Sequence, residues 1–137
     1  MKFYFAGSIR SGRNKLNVFI EINKILNKYG NVLDKHVASP NVFEIEKNNS
    51  EEDIYIRDIN WIKECDILVA EASTPSLGVG YEIAYAESLN KQIICIYDEN
   101  TNLTAMIRGN KNIKLIKYND IDNMLYELEA LLKELVK

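Results

Sequence analysis

The chain has 137 residues, 47% of them hydrophobic and 27% charged, which is the size and balance of one globular domain with a substantial core over residues 1–137. A net charge of −3 with no basic block excludes general nucleic-acid binding, and no apolar run is long enough to span a membrane. One histidine and two separated cysteines, Cys65 and Cys95, form neither a zinc cluster nor a disulfide framework, so two buried inert thiols and no metal or cofactor are expected. Strand-like residues start at Lys2 without a signal-peptide pattern, which makes the cytoplasm the default compartment, the nucleus being also open to a eukaryotic chain.

Residues 2–6 form an apolar strand that runs into Gly7-Ser8-Ile9-Arg10-Ser11-Gly12-Arg13, a Gly/Ser loop with two arginines. Such a loop can offer amides, hydroxyls and guanidinium groups to a phosphate or carboxylate, although it lacks the Lys and glycine spacing of a Walker A loop. An ordinary strand-to-helix connection with solvated arginines is the competing reading. A helix follows, carried by Leu16, Phe19, Ile20, Asn23, Leu26 and Tyr29 near the 3.6 period, with Gly30 as its stop.

Val32-Leu33 reads as a short second strand that leads to His36, on the same rim as Ser8 and Arg10 if the strands are parallel. A lone histidine is more often structural, and His36 by itself decides nothing. Residues 38–50 read as a polar loop able to cover a site. Ser50 is the expected N-cap of the next helix, with Glu51, Glu52 and Asp53 in its first turn. Ile54, Asp58, Trp61, Ile62 and Cys65 share one face of that helix, so Asp58 interrupts an apolar stripe. A carboxylate there is either a structural group paired to backbone or arginine, or a site acid with a shifted pKa.

Asp66–Ala70 reads as a buried strand and opens into Ser73-Thr74-Pro75-Ser76-Leu77-Gly78-Val79-Gly80-Tyr81-Glu82. Pro75, Gly78 and Gly80 are turn formers, and the glycines would let backbone approach a ligand closely. Glu82 is expected in or near the first turn of the helix that continues through Leu89. It is either a candidate for chemistry at a strand's C-terminal edge or a residue that only complements the helix dipole. Gln92–Tyr97 is a further buried strand, 98–112 a polar connection, Ile113–Tyr118 an edge strand, and Ile121, Leu125, Leu128, Leu132 and Leu135 mark a final core-facing helix.

Alternating strands and helices imply an α/β fold, a doubly wound five-stranded parallel sheet of flavodoxin-like order 2-1-3-4-5. The switch point then lies between strands one and three, which sets the Gly7–Arg13 loop opposite Ser76–Glu82 across one crevice.

Tyr4-Phe5-Ala6-Gly7-Ser8-Ile9-Arg10, His36-Val37-Ala38, Asp58-Ile59-Asn60-Trp61, Ser76–Glu82 and Ala105-Met106-Ile107-Arg108-Gly109 together resemble the 2′-deoxynucleoside 5′-phosphate N-hydrolases, relatives of the nucleoside 2-deoxyribosyltransferases. The resemblance runs from about Lys2 to the last helix with its motifs in order. It implies hydrolysis of the N-glycosidic bond of a deoxynucleoside monophosphate, with a dGMP-like purine favoured, to free base and 2-deoxyribose 5-phosphate. Glu82 would be the nucleophile, Asp58 the acid assisting base departure, and Tyr4 a neighbour of sugar and nucleophile. Ser8, Arg10 and Ser76 would hold the phosphate, and Ile9 and His36 would line the pocket. Thr104-Ala105-Met106 would complete the site of the neighbouring subunit in a homodimer, with Thr104 standing where the family pattern has serine; Ala6 and Ser11 also depart from it.

A deoxyribosyltransferase is the first alternative, but its substrates lack the phosphate that Ser8, Arg10 and Ser76 imply. A CMP-type ribonucleotide N-glycosidase differs only in packing around the sugar. A non-catalytic nucleotide-binding module would need neither Glu82 nor Asp58.

Overall fold

The computed structural model describes residues 1–9 and 14–136. In chain order the elements are β1 (Lys2–Gly7), α1 (Leu16–Tyr29), β2 (Asn31–Val32), a 3-10 turn (Lys35–Ala38), α2 (Val42–Glu46), α3 (Glu51–Glu64), β3 (Ile67–Glu71), α4 (Leu77–Ser88), β4 (Gln92–Asp98), α5 (Ala105–Arg108), β5 (Lys114–Tyr118) and α6 (Ile121–Leu135). The five strands form one sheet in the order β2-β1-β3-β4-β5, and every pairing is parallel, as expected. β1 therefore sits between β2 and β3, and its Gly7 lies level with Glu71 at the C-terminal edge.

Side-chain alternation along the strands divides the core between the two faces. Phe3, Phe5, Ile67, Val69, Ile94 and Ile96 pack against Phe19, Ile22 and Leu26 of α1 and Leu128 and Leu132 of α6. Tyr4, Ala6, Leu68, Ala70, Ile93 and Cys95 face the other way, toward Ile62 of α3, Ile83 and Ala86 of α4 and Ile107 of α5. Each fully buried large side chain contributes roughly 1.5–3 kcal/mol of transfer free energy. The period-2 pattern of β1 thus sends Tyr4 to the face shared with α3 and α4.

Local signals place the helix ends. Ser50 caps α3 as expected, accepting the Asp53 N–H at 3.0 Å while Asp53 accepts the Ser50 N–H at 3.2 Å, a reciprocal capping box. Gly7 is required by packing, since a Cβ there would meet the Phe19 ring at 2.8 Å. Cys65 and Cys95 are free and buried, and burial pushes their thiols up to about 11 and about 12.

Three expectations change. Residues 42–46, read as polar loop, form α2, and residues 105–108, read as polar connection, form α5, capped by the Thr104 hydroxyl, which accepts the Met106 N–H at 3.3 Å. Gly78 and Gly80 are not turn residues: α4 begins at Leu77 and contains both. Ser76 takes the Val79 N–H on its hydroxyl at 3.3 Å, which starts the helix before the glycines are reached. Glu82 consequently falls on the second turn of α4, where the N-terminal dipole has faded.

Candidate functional site

The C-terminal edge of β1 and β3 opens into a cavity of about 550 Å³ bounded by α3, α4 and the end of α2. Gly7, Ile9, Glu46, Asp58, Ser76, Gly78 and Glu82 are among its walls, with Ile54, Tyr55, Ile59, Leu77 and Tyr81 supplying apolar surface. Its size suits a nucleotide-sized ligand. The loop after β3 is held by Glu71, which is buried and accepts from the Ser73 N–H (2.8 Å), the Ser73 hydroxyl (2.7 Å) and the Tyr118 hydroxyl (2.6 Å). The Ser73 hydroxyl in turn accepts the Asp98 N–H at 2.8 Å. This network carries Ser76 to the cavity rim, beside the N-terminal end of α4, whose dipole favours an anion.

Tyr4, nearly fully buried beneath the cavity, donates its hydroxyl to Oε2 of Glu82. Burial pushes the Glu82 carboxyl up to about 8, and the Asp58 and Glu46 carboxylates push the same way. The Tyr4 hydroxyl and Arg57 act against that rise. The Tyr4 phenol itself is raised well above its ordinary value by burial, then by Glu82, Asp34 and Asp58, so it stays a donor at any physiological pH. Replacing Tyr4 by Phe removes a donor to an anion, worth about 1.5–3 kcal/mol, and should lift Glu82 by one unit or more. Carboxyl 13C titration of Glu82 reads that shift; a value unchanged from wild type would show that Tyr4 does not control it.

Asp58 stands on the cavity wall rather than in the core, because its face of α3 turns partly into the crevice: only Ile62 of that helix is buried. Burial raises the Asp58 carboxyl above its ordinary value, against Arg57 and His36, which hold it down. Arg57 donates from Nε to Asp58 Oδ1 at 3.0 Å and from its terminal nitrogen to Glu46 Oε2 at 2.5 Å, and it lies 4.9 Å over the Trp61 ring. His36 sits behind this group, its Nε2 3.1 Å from Glu46 Oε2, with its ring 5.7 Å from that of Trp61. Burial and then Arg57 lower its pKa, which favours the neutral imidazole. Deeper still, Asp34 is 1% exposed, accepts the Phe5 N–H at 2.8 Å on Oδ1, and has no partner for Oδ2 among the described residues. Burial raises its carboxyl well above the ordinary aspartate value, with Glu82 and Asp58 pushing the same way, which favours the neutral acid.

Of the residues singled out in the sequence, Gly7, Ile9, Asp58, Ser76, Gly78 and Glu82 meet around this cavity, with Tyr4 beneath it. Ser8 is buried at the rim, and His36 supports the wall through Glu46. Gly80 and Thr104 line a second hollow, of about 380 Å³, on the far side of the α4 start. Ala105 and Met106 are exposed on α5 beside it. Arg10, Ser11, Gly12 and Arg13 lie outside the described residues. Arg57, Glu46 and Asp34 were not legible as site residues: Glu46 lay in a presumed loop, and Asp34 gains meaning only from its burial. Trp61, four residues after Arg57, was the available signal for a stacked guanidinium.

The nucleoside 2-deoxyribosyltransferase family matches residues 3–134, nearly the whole chain. The chain belongs to that family. A 5-hydroxymethyl-dUMP N-hydrolase of Danio rerio is 38% identical over 135 residues, covering 93% of this chain and 94% of the relative. One of the same name from Esox lucius is 35% identical over 142 residues, covering 100% of this chain and 97% of the relative. Among solved structures, the CMP N-glycosidase BcmB of Clostridium botulinum superposes with a TM-score of 0.74 at 24% identity, covering 96% of this chain and 99% of that one, a likeness of fold. In this family member the sheet order places the cavity at the β1/β3 switch point, where open α/β sheets bind ligands. Among the described residues of this family member, no helix is long and apolar enough to cross a membrane.

Proposed function

We propose that this chain hydrolyses the N-glycosidic bond of 2′-deoxynucleoside 5′-monophosphates in the cytoplasm. The observation that carries the reading is the Tyr4–Glu82 pair sharing one cavity with Asp58, beside the anion-binding start of α4. The full-length relatives named as 5-hydroxymethyl-dUMP N-hydrolases support the same chemistry.

In this mechanism the 5′-phosphate rests between the C-terminal end of β1 at Gly7 and Ser76, and Gly78 leaves room for close approach, its Cβ position being 3.8 Å from the nearest atom. Glu82 attacks the anomeric carbon as its carboxylate, oriented by the Tyr4 hydroxyl. The C1′–N bond breaks, its electron pair leaves with the base, and Asp58 delivers a proton to that base. Water then adds to C1′, giving its proton to Asp58, while the bond to Glu82 breaks and its electron pair returns to the carboxylate. The products are free base and 2-deoxyribose 5-phosphate, and both acids are restored.

A panel of dGMP, 5-hydroxymethyl-dUMP, GMP, CMP and deoxyguanosine, scored by free-base release, tests the proposal. Deoxynucleoside monophosphates should react and the phosphate-free nucleoside should be far slower, with dGMP as the purine standard. Equal rates on deoxyguanosine would remove the phosphate argument, and base transfer to an added acceptor would replace hydrolysis by transfer.

In the same reading the second hollow receives a neighbouring subunit, whose Thr104–Met106 segment completes the phosphate site. Leu77 is 95% exposed and Met106 83% exposed on its borders, apolar surface that a dimer would cover. Sedimentation should show a dimer, and Met106→Asp should give a monomer with weakened substrate binding; a fully active monomer would exclude the shared site.

A further inference from the structure

One cation on the cavity wall serves two carboxylates. The Arg57 guanidinium reaches Asp58 Oδ1 through Nε and through a terminal nitrogen, both at 3.0 Å, and reaches Glu46 Oε2 at 2.5 Å. The same terminal nitrogen lies 3.2 Å from His36 Nε2. The side chains of Arg57, Asp58 and Glu46 are 23%, 25% and 13% exposed, so the charges meet in a largely dehydrated wall where their coupling is strong. Trp61 supports the guanidinium from below at 4.9 Å, which holds the planar fork in one orientation. Neighbours at i and i+1 on a helix do not face each other, so Arg57 reaches Asp58 only because its long side chain folds across onto Trp61.

We propose that Arg57 is a positioning residue: its guanidinium is divided between Asp58 and Glu46, and that division sets the orientation of Asp58 and how tightly it holds its proton. With Oδ1 engaged by the guanidinium, the transferable proton of the acid is carried on Oδ2. Glu46 competes from α2 for the same cation, so the short helix across the cavity takes part in tuning the acid. The inference deepens the assignment of Asp58 as proton donor and rests on it.

Among the described residues, the groups facing Asp58 are Arg57 on its own helix, His36 on the 3-10 turn, Glu46 on α2, Glu82 on α4, Tyr4 on β1 and Asp34 after β2. Among these, Arg57 and Glu46 act on Asp58 with opposite sign: Arg57 favours its anion and Glu46 disfavours it. Arg57→Met should therefore leave Asp58 protonated to higher pH, moving the alkaline limb of kcat up by about one unit. Glu46→Gln removes a competing carboxylate and frees the guanidinium for Asp58, so the limb should move down. Arg57→Lys keeps the charge without the fork and should fall between wild type and Arg57→Met.

Opposite movements in the two variants support the proposal, since loosening of the wall alone would shift both alike. Movement in the same direction, or none, overturns it. Carboxyl 13C titration of Asp58 in the same variants reads the effect without turnover. Opposite shifts there, in an enzyme whose Asp58→Asn variant keeps its activity, would uphold the electrostatic link and reject the proton-donor role. Unshifted Asp58 resonances alongside an inactive Asp58→Asn variant would do the reverse.

Discussion

Glu82→Gln is expected to abolish base release while raising the stability of the free protein at alkaline pH. Glutamine keeps the shape and an acceptor for the Tyr4 hydroxyl but has no carboxylate to attack the anomeric carbon. Loss of a covalent nucleophile lowers kcat by a factor on the order of 10⁴ or more. The stability effect follows from the same burial. The folded protein holds the Glu82 proton up to about pH 8, whereas an ordinary glutamate releases it near 4.5. Stability contributed by the neutral acid is complete below about pH 4.5 and is lost as pH rises through 8. Glutamine does not ionise, so the variant should match wild type at pH 4 and exceed it at pH 9, by on the order of 1–3 kcal/mol once solvent entering the cavity is allowed for. Thermal melts at the two pH values test the stability, and single-turnover base release tests the chemistry. An active Glu82→Gln enzyme would sink the nucleophile assignment; equal melts at pH 9 would mean the carboxyl is neutralised by some other route.

The raised Glu82 carboxyl also predicts the acid side of the wild-type profile. In the proposed mechanism the attacking carboxylate must be ionised, so the acid limb of kcat/KM should climb between pH 6 and 8, up to the alkaline limb that Asp58 sets. Poised near neutrality, the carboxyl is poorly solvated and therefore reactive once ionised, which is what a nucleophile in an apolar cavity requires.

Asp58→Asn carries the second large effect. A proton donor contributes roughly 10²–10⁴ in rate, and asparagine can hydrogen-bond to the base without protonating it. The variant should lose its alkaline limb together with that factor in kcat. A substrate whose base already carries positive charge, such as 7-methyl-dGMP, departs without a proton and should recover most of the loss. If both substrates suffer equally, Asp58 only binds or shapes the cavity, and its contact with Arg57 is its main role.

Hydrophobic periodicity was enough for most of the framework. The apolar run at 2–6, the buried runs at 66–70 and 92–97, and the stripe through Leu128 and Leu132 predict a doubly wound sheet, and the sheet has the expected order. Ser50 announces itself as the N-cap of α3 because that contact is local. Gly78 and Gly80 mislead for the opposite reason. Glycine signals backbone freedom, but Ser76 and the space around α4 decide that they are helical and that their missing side chains leave room in the two cavities. Short helices such as Val42–Glu46 and Ala105–Arg108 lack the length for a readable period and are held by packing at Val42 and Ile107.

For Glu82 and Asp58, residue type and place in the chain marked both as candidates, since carboxylates beside a strand's C-terminal edge and within an apolar stripe stand out in one dimension. What each carboxylate does with its proton belongs to the folded molecule. Glu82 rises because α4 lowers it into the cavity beside Tyr4, and Asp58 is balanced between burial and a guanidinium shared with Glu46, eleven positions away from Arg57. Solvent exclusion and charge pairing act through space, and only the packed sheet and helices set those distances.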